Sequence, residues 1–549
     1  MKLFRSLSVL TLFLAGALSV LAQAQTKVFS RYDTLRGTIS ANRAWWDVNW
    51  YGITVKPDIG MHTIEGTVLL DFTAVESGQT MQIDLQSPME IKSVSWKNNA
   101  ISATRDSNVY LLKFPSAIKK GARERLEIKY SGKPREARNA PWDGGWIWRK
   151  DRNGSPWASV ACQGLGASVW FPCKDHQSDE PDSASLTMIV PDTLVAVSNG
   201  RLRSSVRNND GTSTTTWAVS NPINSYNIIP YIGKYVNWTE KFAGEKGQLD
   251  CSYWVLDYNA DSAKKQFTQA RTMLKCFERW FGPYPFYEDG YKLVESPHLG
   301  MEHQSAVAYG NRFRNGYLGS DLSGTGWGLK WDFIIVHESG HEWFGNNITS
   351  KDIADMWVHE SFTNYSETLF VDCEFGKEAG NDYVIGTRSK IVNREPIIGK
   401  YGVNEEGSGD MYYKGGNMLH TIRQVINNDE LFRQILRGLN STFYHKTVTA
   451  KDIQNYISTK SGRDFSKVLQ QYLEQTTIPE LEYKVSGTKF EFRWTKCING
   501  FDLPVKVNGL ADEWLKPTTE WKAVSVPQKF DVSKFSVDRN FYVRTKAVN

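Results

Sequence analysis

Val336-His337-Glu338-Ser339-Gly340-His341-Glu342-Trp343-Phe344-Gly345-Asn346 is the stretch on which the reading of this chain turns. Two histidines stand four residues apart, and a glutamate follows the first. Residues i and i+4 share one face of an α-helix, so His337 and His341 direct two imidazoles into one space, which is metal-ligand spacing. Glu338 sits one residue on, close enough to polarise a metal-bound water while the imidazoles hold the ion. The apolar residues Trp331, Phe333, Ile334, Ile335 and Val336 lead into the motif and predict a helix with the motif in its middle.

Histidine is scarce, nine in all, yet five (His298, His303, His337, His341 and His359) fall in one short part of the chain. Eighteen residues separate His341 from Glu360, which lies in the helical-looking run Met356-Trp357-Val358-His359-Glu360-Ser361-Phe362. A second helix packed on the first would deliver Glu360 as a third ligand. Two histidines and one carboxylate leave one tetrahedral position open for water, as in catalytic zinc sites. His359 is turned away from Glu360 by about 100° on that helix and stays outside the ligand set. Zinc suits this donor set, no redox motif accompanies it, and the cysteines show no C-x-x-C spacing for a thiolate site. The chemistry predicted is hydrolysis of a polarised carbonyl, with Glu338 as general base and later as proton donor to the leaving amine.

At 549 residues the chain is too long for one ordinary core, and its periodicity changes twice. Tyr51–Val55, Thr67–Phe72, Met81–Leu85 and Leu126–Tyr130 alternate apolar and polar residues, and a last strand is expected over Tyr226–Ile232. Beyond it Phe267, Ala270, Leu274, Phe277 and Phe281 recur at helical steps, as do Met418, Leu419, Ile422, Val425 and Ile426, and Thr449 with Asp452 predicts a capped helix. Two Gly-rich stretches, 316–328 and 402–409, are expected as mobile loops near the motifs. After Pro479 alternation returns in Leu481, Tyr483 and Val485 and in Phe490, Phe492 and Trp494. The expectation is an α+β multidomain chain: a signal peptide over 1–24, an all-β domain over 25–235, a mainly helical catalytic domain over 236–478 and a small β-sandwich over 479–549.

Lys2 and Arg5 precede an apolar run from Leu7 to Leu21, and Ala22-Gln23-Ala24 offers a cleavage site, so export to the periplasm or beyond is expected. No later stretch is long enough to span a bilayer. An oxidising address makes disulfides possible among Cys162, Cys173, Cys251, Cys276, Cys373 and Cys497 without choosing their pairing. A formal charge of +5 with no long basic run argues against a nucleic-acid partner. The oligomeric state is not legible.

The motif followed by eighteen residues and Glu resembles the signature of the M1 (gluzincin) aminopeptidases, and the likeness covers nearly the whole mature chain. That family carries Gly-x-Met-Glu-Asn before the zinc helix, and Leu299-Gly300-Met301-Glu302-His303 occupies the place. The resemblance implies that Glu302 binds the free α-amino group of a peptide and that Gly300 and Met301 line the substrate. An ammonium about 4 Å from a carboxylate gains roughly 4 kcal/mol at an effective dielectric near 20, before desolvation is subtracted. The family's Tyr-x-Lys-Gly selects Tyr412, in Tyr412-Tyr413-Lys414-Gly415, as donor to the oxyanion; spacing alone does not separate it from Tyr413. Gln163, between Ala161-Cys162 and Trp170-Phe171-Pro172-Cys173, matches the Gln of the first specificity pocket. Leu299, His303 and Glu342 depart from the family pattern, Glu342 by placing a further acid beside the second histidine.

In family terms the architecture is an N-terminal β-saddle, a thermolysin-like catalytic domain and a C-terminal β-sandwich without a helical fourth domain, hence a more open site. The function expected is an exported zinc aminopeptidase that uses one zinc ion and acts on peptides with a free N-terminus. The alternatives are a thermolysin-like endopeptidase and a non-catalytic, zinc-holding peptide-binding protein.

Overall fold

The computed structural model describes residues 27–549. The signal-peptide reading of 1–24 falls outside them. The expected α+β order is the one the chain adopts: strands, then mainly helices, then strands.

The long strands Trp46–Asp58 and Thr63–Ala74 pair antiparallel and centre an eight-stranded sheet. Their alternation puts Tyr51, Ile53, Val55, Val68, Leu70 and Phe72 inside one core. A three-stranded sheet and a four-stranded sheet close over it. The strand expected over Tyr226–Ile232 is shorter than predicted and covers Tyr231–Gly233. The Asn224 side chain accepts from the Tyr226 N–H and starts a single helical turn over Ser225–Asn227, and Pro230 has no N–H to give a ladder. That turn carries the Tyr226 side chain toward the site.

A five-stranded sheet follows, in the order Tyr235–Gly244, Gly247–Leu256, Tyr291–Glu295, Val307–Tyr309, Gly300–Met301. Successive side chains on a strand point to opposite faces. Accordingly Val255, Leu293, Val307 and Tyr309 pack into the core of the helical region, while Leu256, Val294 and Ala308 pack into the N-terminal core. Sequence reading missed this sheet although Leu249, Cys251, Tyr253 and Val255 alternate along one of its two long strands; its other three strands have five residues or fewer and are buried throughout, which leaves no polar-out alternation to see.

The helices behind it include Thr268–Phe281, Phe333–Gly340, Trp357–Phe375 and Asp410–Ile426. The helix over Ala450–Ser461 begins in the predicted capping box of Thr449 and Asp452. A disulfide joins Cys276 to Cys373 and ties the first of these helices to the third. Beyond Pro479 the strands Glu480–Ser486 and Lys489–Thr495 form a hairpin in which Leu481 faces Trp494 and Tyr483 faces Phe492. A four-stranded and a three-stranded sheet complete this end, and its core is continuous with that of the helices.

Candidate active site

Asp332 starts the motif helix. Its carboxylate caps the N–H groups of Ile334 and Ile335 and is held by Tyr309, Gln266 and Asn311. The regular α-helix runs over Phe333–Gly340, His341 keeps helical backbone and a distorted turn over Glu342–Asn346 follows, so the motif lies at the end of the α-helix and not in its middle as expected. The chain turns at once, with Phe344 and Gly345 in non-helical conformations. The turn has a use, because His341 Nδ1 donates to the Phe344 carbonyl at 3.0 Å. Gly340 allows the following helix to lie against this one: a Cβ there would be 2.5 Å from Ser366 Oγ.

That second helix, Trp357–Phe375, brings Glu360 up in its first turn. Glu360 Oε2 lies 3.7 Å from His337 Nε2 and 3.4 Å from His341 Nε2. It is buried and has no hydrogen-bond partner. On the other side of His337, Nδ1 donates to Glu367 Oε1 at 2.7 Å. Both imidazoles therefore commit Nδ1 outward and leave Nε2 facing Glu360, the tautomer that metal ligation requires. The ligand atoms of His337, Glu338 and His341 also lie within 4.8 Å of one another. Burial would lower both histidine pKa values, yet the carboxylates of Glu360 and Glu367 raise that of His337, and Glu360 raises that of His341. Glu360 is held well below the usual carboxylate range, because the two histidines outweigh its burial. A buried pocket that stabilises positive charge this strongly, with one orphaned carboxylate oxygen and two free imidazole nitrogens, fits a divalent zinc ion.

Glu338 is buried beside these groups, and burial together with the nearby carboxylates pushes its pKa up to about 7. Such a group can both take and return a proton near neutrality. The strand Gly300–Met301 is the edge of its sheet, and Gly300 lies against Glu338: a Cβ at 300 would be 2.6 Å from Glu338 Oε1. Two residues on, Glu302 is buried and accepts from the Tyr226 hydroxyl at 2.9 Å, while its own carbonyl accepts from Asn346 Nδ2.

Tyr412, on the helix Asp410–Ile426, stacks at 6.1 Å from the His337 ring. Burial and the carboxylates of Glu360, Glu406 and Glu302 keep its hydroxyl protonated. Tyr413 lies behind it, near Glu367 and Tyr317. Gln163 leaves the strand Pro156–Ala161, and its Nε2 is 3.5 Å from Met356 Sδ, just before the second helix.

The departures from the family pattern have local explanations. His303 is fully buried with Nδ1 2.5 Å from the Tyr231 hydroxyl, so it braces the turn and does not face the cleft. Glu342 accepts from the Ser305 N–H at 2.8 Å, and burial raises its pKa to about 8, so it fastens the turn after Glu302 and carries little of the added negative charge that its sequence suggests. His359 is buried and accepts from the Ser350 N–H. Leu299 is partly buried beside the helical core.

Two residues escaped the sequence reading. Glu367 holds His337 and is itself bound by Tyr383 and Asn364. Its signal was available, since it stands seven residues after Glu360 on the same helix face. Tyr226 carried no signal, because its role depends on the turn that replaces the expected strand.

A helical metal site at the edge of a mixed sheet, behind an all-β domain, defines a metallopeptidase-like architecture. Residues 266–472 match the peptidase family M1 domain and residues 47–227 the peptidase M1 N-terminal domain; the chain belongs to the M1 family. It is 21% identical to probable aminopeptidase 2 of Sulfurisphaera tokodaii over 76% of this chain and 54% of that protein. With the puromycin-sensitive aminopeptidase of Caenorhabditis elegans it shares 21% identity over 79% of this chain and 47% of that one. The chain thus spans about half the length of the curated relatives it matches. The M1 zinc metallopeptidase of Deinococcus radiodurans superposes with a TM-score of 0.68 at 20% identity, over 80% of this chain and 96% of that one.

Proposed function

We propose that the protein is an exported zinc aminopeptidase that removes the first residue from peptides with a free N-terminus. The observation that carries this reading is the spacing along one strand edge. Gly300 abuts the general base Glu338, and Glu302 stands two residues further, just past the strand end, about 7 Å if the chain stays extended. An α-ammonium held at Glu302 leaves room for a single residue before the bond under attack.

His337, His341 and Glu360 would hold the zinc ion, which supplies Lewis acidity to the carbonyl and to the attacking water. Glu338 takes the proton from that water and passes it to the leaving amine; its raised pKa suits both steps. The Tyr412 hydroxyl donates to the oxygen on which negative charge develops. Tyr226 fixes the Glu302 carboxylate, so the ammonium meets an already oriented acceptor. The Cys276–Cys373 disulfide supports export, since such bonds persist in oxidising compartments.

The test is a panel of aminoacyl amides and short peptides, free and N-acetylated, assayed with and without a chelator. The expected result is release of the first residue from free-amine substrates only, abolished by the chelator and restored by zinc. Equal cleavage of acetylated peptides would replace this reading with an endopeptidase.

A further inference from the structure

The loop 402–407 is pinned on three sides. Thr38 Oγ1 donates to the Gly402 carbonyl at 2.9 Å, the Gly402 N–H donates to Asp352 Oδ2 at 2.9 Å, and Lys27 pairs with Glu405 at 2.8 Å. Asn404 Nδ2 reaches the Gly164 carbonyl at 3.5 Å, and Arg36 Nη2 reaches the same oxygen at 2.9 Å. These contacts set Glu406 against the turn that carries Gln163: a Cβ on Gly164 would be 3.3 Å from Glu406 Oε2. Glu406 is reached by solvent, yet its charge is felt by Tyr412, and the charges of Glu360 and Glu302 act on it. Its Oε2 therefore faces the turn that carries Gln163. Its neighbour Glu405 pairs with Lys27, whose charge also acts on Glu406; among the described residues Glu406 itself makes no direct hydrogen bond or ion pair.

Three carboxylates, Glu302, Glu338 and Glu360, act on one another around the metal position, and Glu406 faces the turn that carries Gln163. On the aminopeptidase reading, on which this inference rests, three have work. Glu360 faces the metal position, Glu338 moves the proton and Glu302 takes the α-ammonium. Glu406 is left over, against Gly164 and so next to Gln163, the residue that the family resemblance assigns to the pocket for the first side chain. A solvent-exposed anion with no direct partner attracts a cation and repels a second anion, and specificity is built from both terms.

We propose that Glu406 determines specificity for the first residue by accepting the cationic side chain of an N-terminal lysine or arginine. The substrate class is peptides that begin with a basic residue. Two charges on one substrate residue, the α-ammonium and the side-chain cation, then meet two carboxylates held by separate elements.

The experiment compares kcat/KM for arginyl, lysyl, norleucyl and glutamyl amides in the full-length zinc-loaded wild type and in Glu406→Gln and Glu406→Lys. The readout is the arginyl-to-norleucyl ratio, which does not depend on how much enzyme is active. The wild type should favour the arginyl over the norleucyl substrate by about tenfold or more, Glu406→Gln should remove most of that preference, and Glu406→Lys should invert it toward the glutamyl substrate. A ratio that stays constant while all rates fall together would assign Glu406 to the α-ammonium and overturn the proposal. So would a wild type that cleaves neutral substrates without preferring basic ones. A wild type that releases nothing from any free-amine substrate overturns the aminopeptidase reading and this inference with it.

Discussion

The residues that would cut and the residues that would measure are built in different ways. His337, His341, Glu338, Glu360 and Glu367 sit on or at the end of two helices packed at close range, nearly all buried, with each imidazole fixed by a hydrogen bond on its far side. Glu302, Gln163 and Glu406 stand just past a two-residue edge strand, on a turn and on a loop contributed by three parts of the chain. The first group gains precision from regular structure, whose geometry is set by local backbone bonds. The second gains it from cross-links such as Tyr226 to Glu302 and Asn404 to Gly164. Chemistry common to many peptidases can live on the rigid part, while the part that reads the substrate can change by altering one loop residue.

Three substitutions probe that division. Glu338→Gln should lower kcat by about a thousandfold for every substrate while the zinc content by metal analysis stays at one ion, because the base is lost and the ligands are not. Preserved turnover would remove Glu338 from the mechanism. Glu302→Ala strikes the measuring side: hydrolysis of free-amine substrates should fall by about tenfold to a hundredfold, and the discrimination against acetylated peptides should shrink with it. If free-amine and blocked substrates keep their original ratio, the edge strand does not set the cutting position. Glu367→Gln should weaken zinc by about tenfold in competition with a chromogenic chelator, an effect read without any substrate. Unchanged affinity would mean that the His337 contact orients nothing.

The same division governs what the sequence could show. Helical spacing put His337 and His341 together, and the apolar run around Glu360 marked a second helix, because a 3.6-residue period survives as a linear pattern. Periodicity was also sufficient for the long strands of the N-terminal sheet and for the terminal hairpin. It failed at Gly340, where the helix ends one residue before the second histidine, and at Tyr226, where an asparagine cap converted a predicted strand into a turn. In the five-stranded sheet the three short strands are buried throughout and leave no alternating pattern, while the alternation of Leu249, Cys251, Tyr253 and Val255 was there to read. Glu302, Tyr412 and Gln163 were named by family resemblance alone. Glu406 was passed over as one acid in a glycine-rich loop, and nothing in the linear sequence relates it to Gly164.

The sheet that carries Gly300 and Glu302 shares its two faces between the N-terminal core and the helical core. A fragment cut free near residue 235 would therefore expose Leu256, Val294, Ala306 and Ala308 to water, on or beside the sheet whose edge strand abuts Glu338. Attempts to miniaturise this protein by removing the residues before about 235 should yield sticky, aggregating protein even though His337, His341, Glu360 and Glu338 all remain in the fragment.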